Sequence, residues 1–110
     1  MKDDRLYLIH IQESIRRIEE YTTGGRYAFS RDTRTQDAVL RNLQTLAEST
    51  RRVSDALKQH HPEIDWRAIA GFRNVAVHDY LGIDLDEIWG IVDRDVPELK
   101  TAIEAMLRES

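Results

Sequence analysis

Arg73-Asn74-Val75-Ala76-Val77-His78-Asp79-Tyr80 is the stretch whose residue types suggest chemistry more than packing. It sets an always-charged guanidinium, an imidazole that titrates near neutral pH and a phenol among valines. Each of these groups is costly in a packed core unless it is paired. The stretch is therefore either a buried polar network or a site. As a site it has content, because histidine can pass protons near neutral pH and arginine can stabilise charge building on a phosphoryl group. As a network, Arg73 pairs with a carboxylate such as Glu48 while His78 caps a helix end and Tyr80 packs its ring.

Other groupings are weaker. The histidines lack metal-ligand spacing: His60 and His61 are adjacent at a helix end, suited to its dipole, and His10 and His78 stand alone. With no HExxH pattern and no paired carboxylate array, no metal site is assigned. No serine or threonine sits in a recognisable nucleophile elbow. Gly24-Gly25 alone is a turn, not a phosphate loop, and Trp66 and Trp89 read as core. His10 reads as a surface or interface residue.

The 110 residues fit one domain, residues 1–110, with a single core. The absence of cysteine excludes disulfides, thiolate metal sites and cysteine nucleophiles, and is compatible with a reducing cytoplasm. No apolar run approaches the ~20 residues of a membrane span, and the start Met1-Lys2-Asp3-Asp4-Arg5 does not lead into a signal-peptide core. The expectation is a soluble, unprocessed cytoplasmic protein with no membrane contact.

A net charge of −4 argues against coating nucleic acid by bulk electrostatics, yet the charge is uneven. Residues 1–61 hold eleven Lys and Arg against nine Asp and Glu, whereas residues 62–110 hold five against eleven. Lys2, Lys58 and Lys100 are the only lysines. Arginine's planar fork suits phosphate, so a local anion site remains open beside the plainer reading of a solvated, mixed-charge surface.

The elements that must position the stretch are helical. Residues 4–22 carry Leu8, Ile11, Ile15 and Ile18 at spacings of 3, 4 and 3, with Leu6, Ile9 and Tyr21 widening the stripe. Thr22-Thr23-Gly24-Gly25 ends that helix, and Arg26 to Arg31 reads as a loop with exposed Tyr27 and Phe29. Thr33 and Gln36 have capping-box spacing for a second helix reaching His60, about 27 residues or roughly 40 Å, stopped by Pro62. Its stripe is Val39, Leu43, Leu46, Val53 and Leu57, with Thr50 in the missing heptad position. Arg41, Asn42, Glu48, Arg51 and Arg52 supply polar groups beside it.

Asp65 caps a third helix with Trp66, Ile69 and Ala70 as its first core contacts. This helix carries the chemical stretch. Asn74 and His78 share a face, whereas Arg73 and His78 lie ~140° apart and flank one edge. A site using both must lie along that edge, or be completed by another element or another copy of the chain. Gly82 breaks the helix. Asp84 and Glu87 have capping-box spacing, and Ile83 with Ile88 can form a hydrophobic staple. The next apolar face is Leu85, Ile88, Trp89 and Val92. Asp93 to Pro97 reads as a hinge before a last helix bearing Val96, Leu99, Ile103 and Met106. The fold class is all-α, an up-and-down bundle of four main helices plus a short extra one.

At Arg73-Asn-Val-Ala-Val-His78-Asp-Tyr80 the chain resembles the HEPN superfamily of helical-bundle ribonucleases, and within it the HepT (DUF86) toxins with their R-x4-H-x-Y form. The likeness runs nearly end to end, through Tyr-Thr-x-Gly-Gly, Ala38-Val39-Leu40-Arg41-Asn42-Leu43-Gln44 and Tyr80-x-Gly82-Ile83-Asp84. Ala47-Glu48-Ser49 departs from the Gly-Glu-Ala common in relatives, a change conservative in size.

The resemblance implies a metal-independent endoribonuclease, needing no cofactor, that is the toxin of a toxin–antitoxin pair. Two protomers would pack about a two-fold, joining both Arg-His pairs in one cleft. Arg73 and His78 would then be catalytic, with Asn74 and Glu48 in support. The implied partner is an MNT-type nucleotidyltransferase antitoxin that transfers AMP to Tyr80. The rivals are a HEPN dimer without nuclease activity that serves as the substrate-binding subunit of a minimal nucleotidyltransferase, and a helical scaffold with a buried Arg-His-Tyr network.

Overall fold

The computed structural model describes residues 3–77 and 84–109, and of residues 75–77 the backbone alone. Every regular element among them is helical, as expected. Helix α1 (Asp4–Tyr21) starts where the Asp3 carboxylate accepts the Leu6 N–H at 3.2 Å. It buries Leu8, Ile11, Ile15 and Ile18 and ends where the Thr22 hydroxyl donates to the Ile18 carbonyl at 2.8 Å. The chain then turns at Gly25, whose φ of 87° favours glycine. Leu6, Ile9 and Tyr21 do not widen the buried stripe; they are exposed. At 100° per residue Leu6 and Ile9 fall on the side of α1 away from Leu8 and Ile15.

Residues 26–31 are not a loop but part of helix α2 (Gly25–Arg31). On this short helix Tyr27 and Phe29 point to different sides, about 200° apart. Tyr27 is 72% exposed as expected, whereas Phe29 is 1% exposed and packs 5.4 Å from the Trp89 ring. The Gln36 amide donates to the Phe29 carbonyl at 3.0 Å, satisfying a buried acceptor at the end of α2.

Helix α3 (Thr33–Arg52) is the central element, packed against α1 and also against α5. Its cap is Asp32, at the foreseen start near Asp32-Thr33, and not Thr33, whose spacing to Gln36 suggested a capping box. The Thr35 hydroxyl donates to that carboxylate at 2.9 Å, with further bonds from the Thr35 and Arg34 N–H groups. These bonds, the Thr35 hydroxyl foremost, hold the Asp32 carboxyl below its ordinary pKa. Val39, Leu43 and Leu46 are fully buried, and Thr50 fills its heptad position with its hydroxyl donating to the Leu46 carbonyl at 2.9 Å.

The expected 27-residue helix is broken at Val53-Ser54. Val53 and Ser54 are extended, and the Ser54 N–H and hydroxyl donate to the two Asp4 carboxylate oxygens at 2.8 and 2.6 Å. The Ser54 oxygen also accepts the Leu57 N–H, capping α4 (Asp55–His60). A cap used from both sides replaces helix continuation, and Val53 stays in the core at 1% exposure.

Helix α5 (Trp66–Val77) starts on Asp65, which accepts the Ala68 N–H at 3.0 Å. The Trp66 indole N–H lies within reach of the Lys58 and His61 carbonyls, at 3.2 and 3.1 Å. Ile69 and Phe72 are buried, but Ala70, expected in the core, is exposed because the neighbouring turn positions take the face toward α3.

Helix α6 (Leu85–Gly90) is capped by Asp84 on the Glu87 N–H at 3.0 Å. Ile83 of the expected staple and Gly82 of the expected break lie outside the described residues. The expected hinge at 93–97 is instead a π-helical turn, Ile91–Asp95, leading directly into α7 (Val96–Glu109). The Val96 N–H reaches the Ile91 carbonyl, and Pro97 has no N–H with which to continue the ordinary ladder. Val92 and Val96, near either end of that turn, are both buried. Val96, Leu99, Ile103 and Met106 then line the core as the spacing predicts.

The contrast within α2 is testable by urea unfolding. Phe29→Ala is expected to cost about 3 kcal/mol or more through a core cavity, and Tyr27→Ala less than about 0.5 kcal/mol. Equal losses would contradict the placement of the two rings.

Candidate functional site

Helix α5 runs back along α3, since its first residue lies against Lys58 and His61 and Arg73 lies against Glu48. Arg73 is on the exposed side of α5, while Phe72 beside it is 4% exposed. The core therefore anchors the helix one residue from the guanidinium. Arg73 Nη1 sits 3.2 Å from Glu48 Oε1, with side chains 49% and 32% exposed. The other carboxylate oxygen, Oε2, accepts from Arg51 Nη2 at 3.2 Å. One carboxylate thus holds two guanidiniums, one from α3 and one from α5.

This pairing is the one foreseen under the packing alternative, but its exposure fits a site equally. A solvent-exposed pair is worth about 0–1 kcal/mol, so its main consequence is positional: it fixes where the Arg73 fork lies without burying it. Glu48 is thereby in direct contact with Arg73. Asn74 is on the exposed surface of α5, and its side chain makes no hydrogen bond among the described residues. His78 and Tyr80 lie outside the described residues, just beyond the end of α5.

Among the described residues no histidine pairs with Arg73 or Glu48. His10 is exposed on α1, its ring edge-on to Tyr7 at 6.3 Å between centroids. His61 Nδ1 lies 3.1 Å from Glu63 and its Nε2 3.8 Å from Glu109, at the far end of α5. Among the described residues no group of three potential metal ligands occurs. No described helix is long and apolar enough to cross a membrane.

One feature of the same neighbourhood is easily passed over in the sequence. A groove of about 510 Å³ between α1 and α3 is lined by Tyr7, His10, Arg41, Thr45, Glu48 and Arg52, among others. Positions 41, 45, 48 and 52 recur at helical spacing along one face of α3. That spacing is the signal for it, but a polar face of a helix ordinarily reads as solvated surface.

Residues 11–106 match the family described as ribonuclease HepT-like. The chain belongs to that family. It is 38% identical to "Probable ribonuclease HepT" of Thermococcus cleftensis over 101 residues, 91% of this chain and 92% of that relative. It is 32% identical to "Putative RNase MJ1380" of Methanocaldococcus jannaschii over 104 residues, 94% of this chain and 95% of the relative. No solved structure matches it significantly. The resemblance at Arg73-x4-His78-x-Tyr80 is thus part of a relationship spanning nearly the whole HepT-like chain.

Glu48→Gln tests the positioning role. It is expected to change unfolding free energy by less than about 1 kcal/mol while lowering RNA cleavage about tenfold. A wild-type rate would show that Arg73 needs no such hold.

Proposed function

We propose that this chain is an endoribonuclease that cuts RNA without a metal ion, at a cleft shared by two protomers. The observation that carries this is the Arg73 guanidinium, exposed and held by Glu48 at the end of α5 that leads into His78 and Tyr80. Membership of the HepT-like family supports it. His78 takes the proton from a ribose 2′-OH, whose oxygen attacks the adjacent phosphorus. The bond from phosphorus to the 5′ oxygen breaks, leaving a 2′,3′-cyclic phosphate and, after protonation, a 5′-OH. Arg73 stabilises the negative charge on the phosphoryl oxygens, and Asn74 orients the substrate or His78. DNA lacks the nucleophile and is not cut.

A five-residue spacing corresponds to ~140° on an ideal helix, so the Arg73-x4-His78 pattern alone does not bring the two side chains together. A second copy about a two-fold completes the cleft. In the same reading the chain is a toxin whose antitoxin is a nucleotidyltransferase. The Tyr80 phenol oxygen attacks the α-phosphorus of ATP, pyrophosphate leaves and the phenolic proton is lost. The resulting phosphodiester adds negative charge beside Arg73 and competes with RNA.

Purified protein in EDTA is expected to cleave single-stranded RNA, with Arg73→Ala and His78→Ala each at least about a hundredfold slower. Equal rates would sink the assignment and favour a binding subunit without nuclease activity. Incubation with the cognate nucleotidyltransferase and Mg-ATP is expected to raise the intact mass by AMP increments on the wild type and not on Tyr80→Phe. Increments on Tyr80→Phe would refute Tyr80 as the acceptor.

A further inference from the structure

The groove between α1 and α3 touches the Arg73 neighbourhood through Glu48, which lines it and also pairs with Arg73. Arg41 and Arg52 stand at its rim, and both are exposed. Among the described residues neither makes an ion pair or a side-chain hydrogen bond, although carboxylates hold Arg16, Arg17, Arg26, Arg51 and Arg73. Eleven residues apart on α3, they stand about 16 Å from each other along the helix axis. The floor between them carries Gln44, Thr45 and Ser49, which can donate to phosphate and sugar oxygens. The opposite wall offers the half-buried Tyr7 ring with the exposed His10 ring edge-on to it.

Two available guanidiniums spaced along a polar groove, with aromatic rings on the facing wall, form the combination that tracks a single nucleic-acid strand. We infer that this groove is the substrate track: single-stranded RNA lies along α3 with phosphates on Arg41 and Arg52 and a base against His10, and so passes Arg73. This rests on the ribonuclease reading for the chemistry but not for the binding. Phosphate contacts position the strand without reading its sequence.

The test is binding of a fluorescent 20-nucleotide 2′-O-methyl oligouridine, which has no free 2′-OH and cannot be cleaved by that route. Arg41→Gln/Arg52→Gln is compared with wild type and with Arg108→Gln, an exposed arginine on α7 away from the groove. The double variant is expected to keep the wild-type Tm, bind about tenfold more weakly, and show a log–log salt slope shallower by about 1.4, at roughly 0.7 per lost phosphate contact. Arg108→Gln should match wild type. In cleavage assays the double variant should raise KM for long RNA and leave a dinucleotide substrate, too short to span the groove, at the wild-type rate. An unchanged affinity and salt slope would overturn the track, as would an equal loss in Arg108→Gln. A shift of the monomer–dimer equilibrium with RNA binding unchanged would also overturn it and assign the groove to a protein interface. If wild type binds through these arginines yet cuts no RNA, the track stands and the catalytic reading fails.

Discussion

Helix α3 is covered by α1 along one side and by α5 along another, and this double burial constrains everything else in the fold. A helix in that position can expose only a narrow remainder, and each polar group inside it must be satisfied locally. The Gln36 amide reaches the Phe29 carbonyl, the Asn42 amide the Ala38 carbonyl at 2.8 Å, and the Thr50 hydroxyl the Leu46 carbonyl. Among the polar residues left outside are Arg41, Thr45, Glu48, Arg51 and Arg52. Because α5 is seated on the same helix, Arg73 arrives beside Glu48, and the catalytic candidate and the groove share one surface. Packing decides the location of the charge, and the charge decides what the surface can hold.

Much of this was legible in the residue pattern. The stripes Leu8-Ile11-Ile15-Ile18 and Val96-Leu99-Ile103-Met106 read as buried and are buried. The caps at Asp65 and Asp84 form as spaced, and Glu48 is the carboxylate that meets Arg73. What escaped depends on distant partners. The break at Val53-Ser54 exists because Asp4, fifty residues earlier, accepts two bonds from Ser54. No local propensity announces that. Phe29 is buried because Trp89 waits on α6, and a stretch read as a loop becomes a helix to deliver it. At 93–97 the expected hinge is instead a π turn that runs without a break into α7, with Val92 and Val96 both in the core.

At the site the division is similar. Arg73 and Asn74 lie on the exposed side of α5, whereas His78 and Tyr80 fall beyond the described residues. The sequence left open whether Arg73 belonged to a buried network or to a site. Its half-exposed side chain and shared carboxylate favour a guanidinium that is held in place yet available. An exposed pair of this kind adds little to folding, so stability alone gives weak reason for three charged residues to converge there. A phosphate, arriving with its own charge, gives a better one.

The central claim is that the chemistry is an attack by the ribose 2′-OH, arranged around Arg73 and His78. The most direct measurement is the end-group chemistry of the products, read by mass spectrometry on a short RNA cut by the purified protein. The account predicts a 2′,3′-cyclic phosphate on the upstream fragment and a 5′-OH on the downstream one. A 3′-OH paired with a 5′-phosphate would mean that water or another external nucleophile attacks instead, and would contradict it.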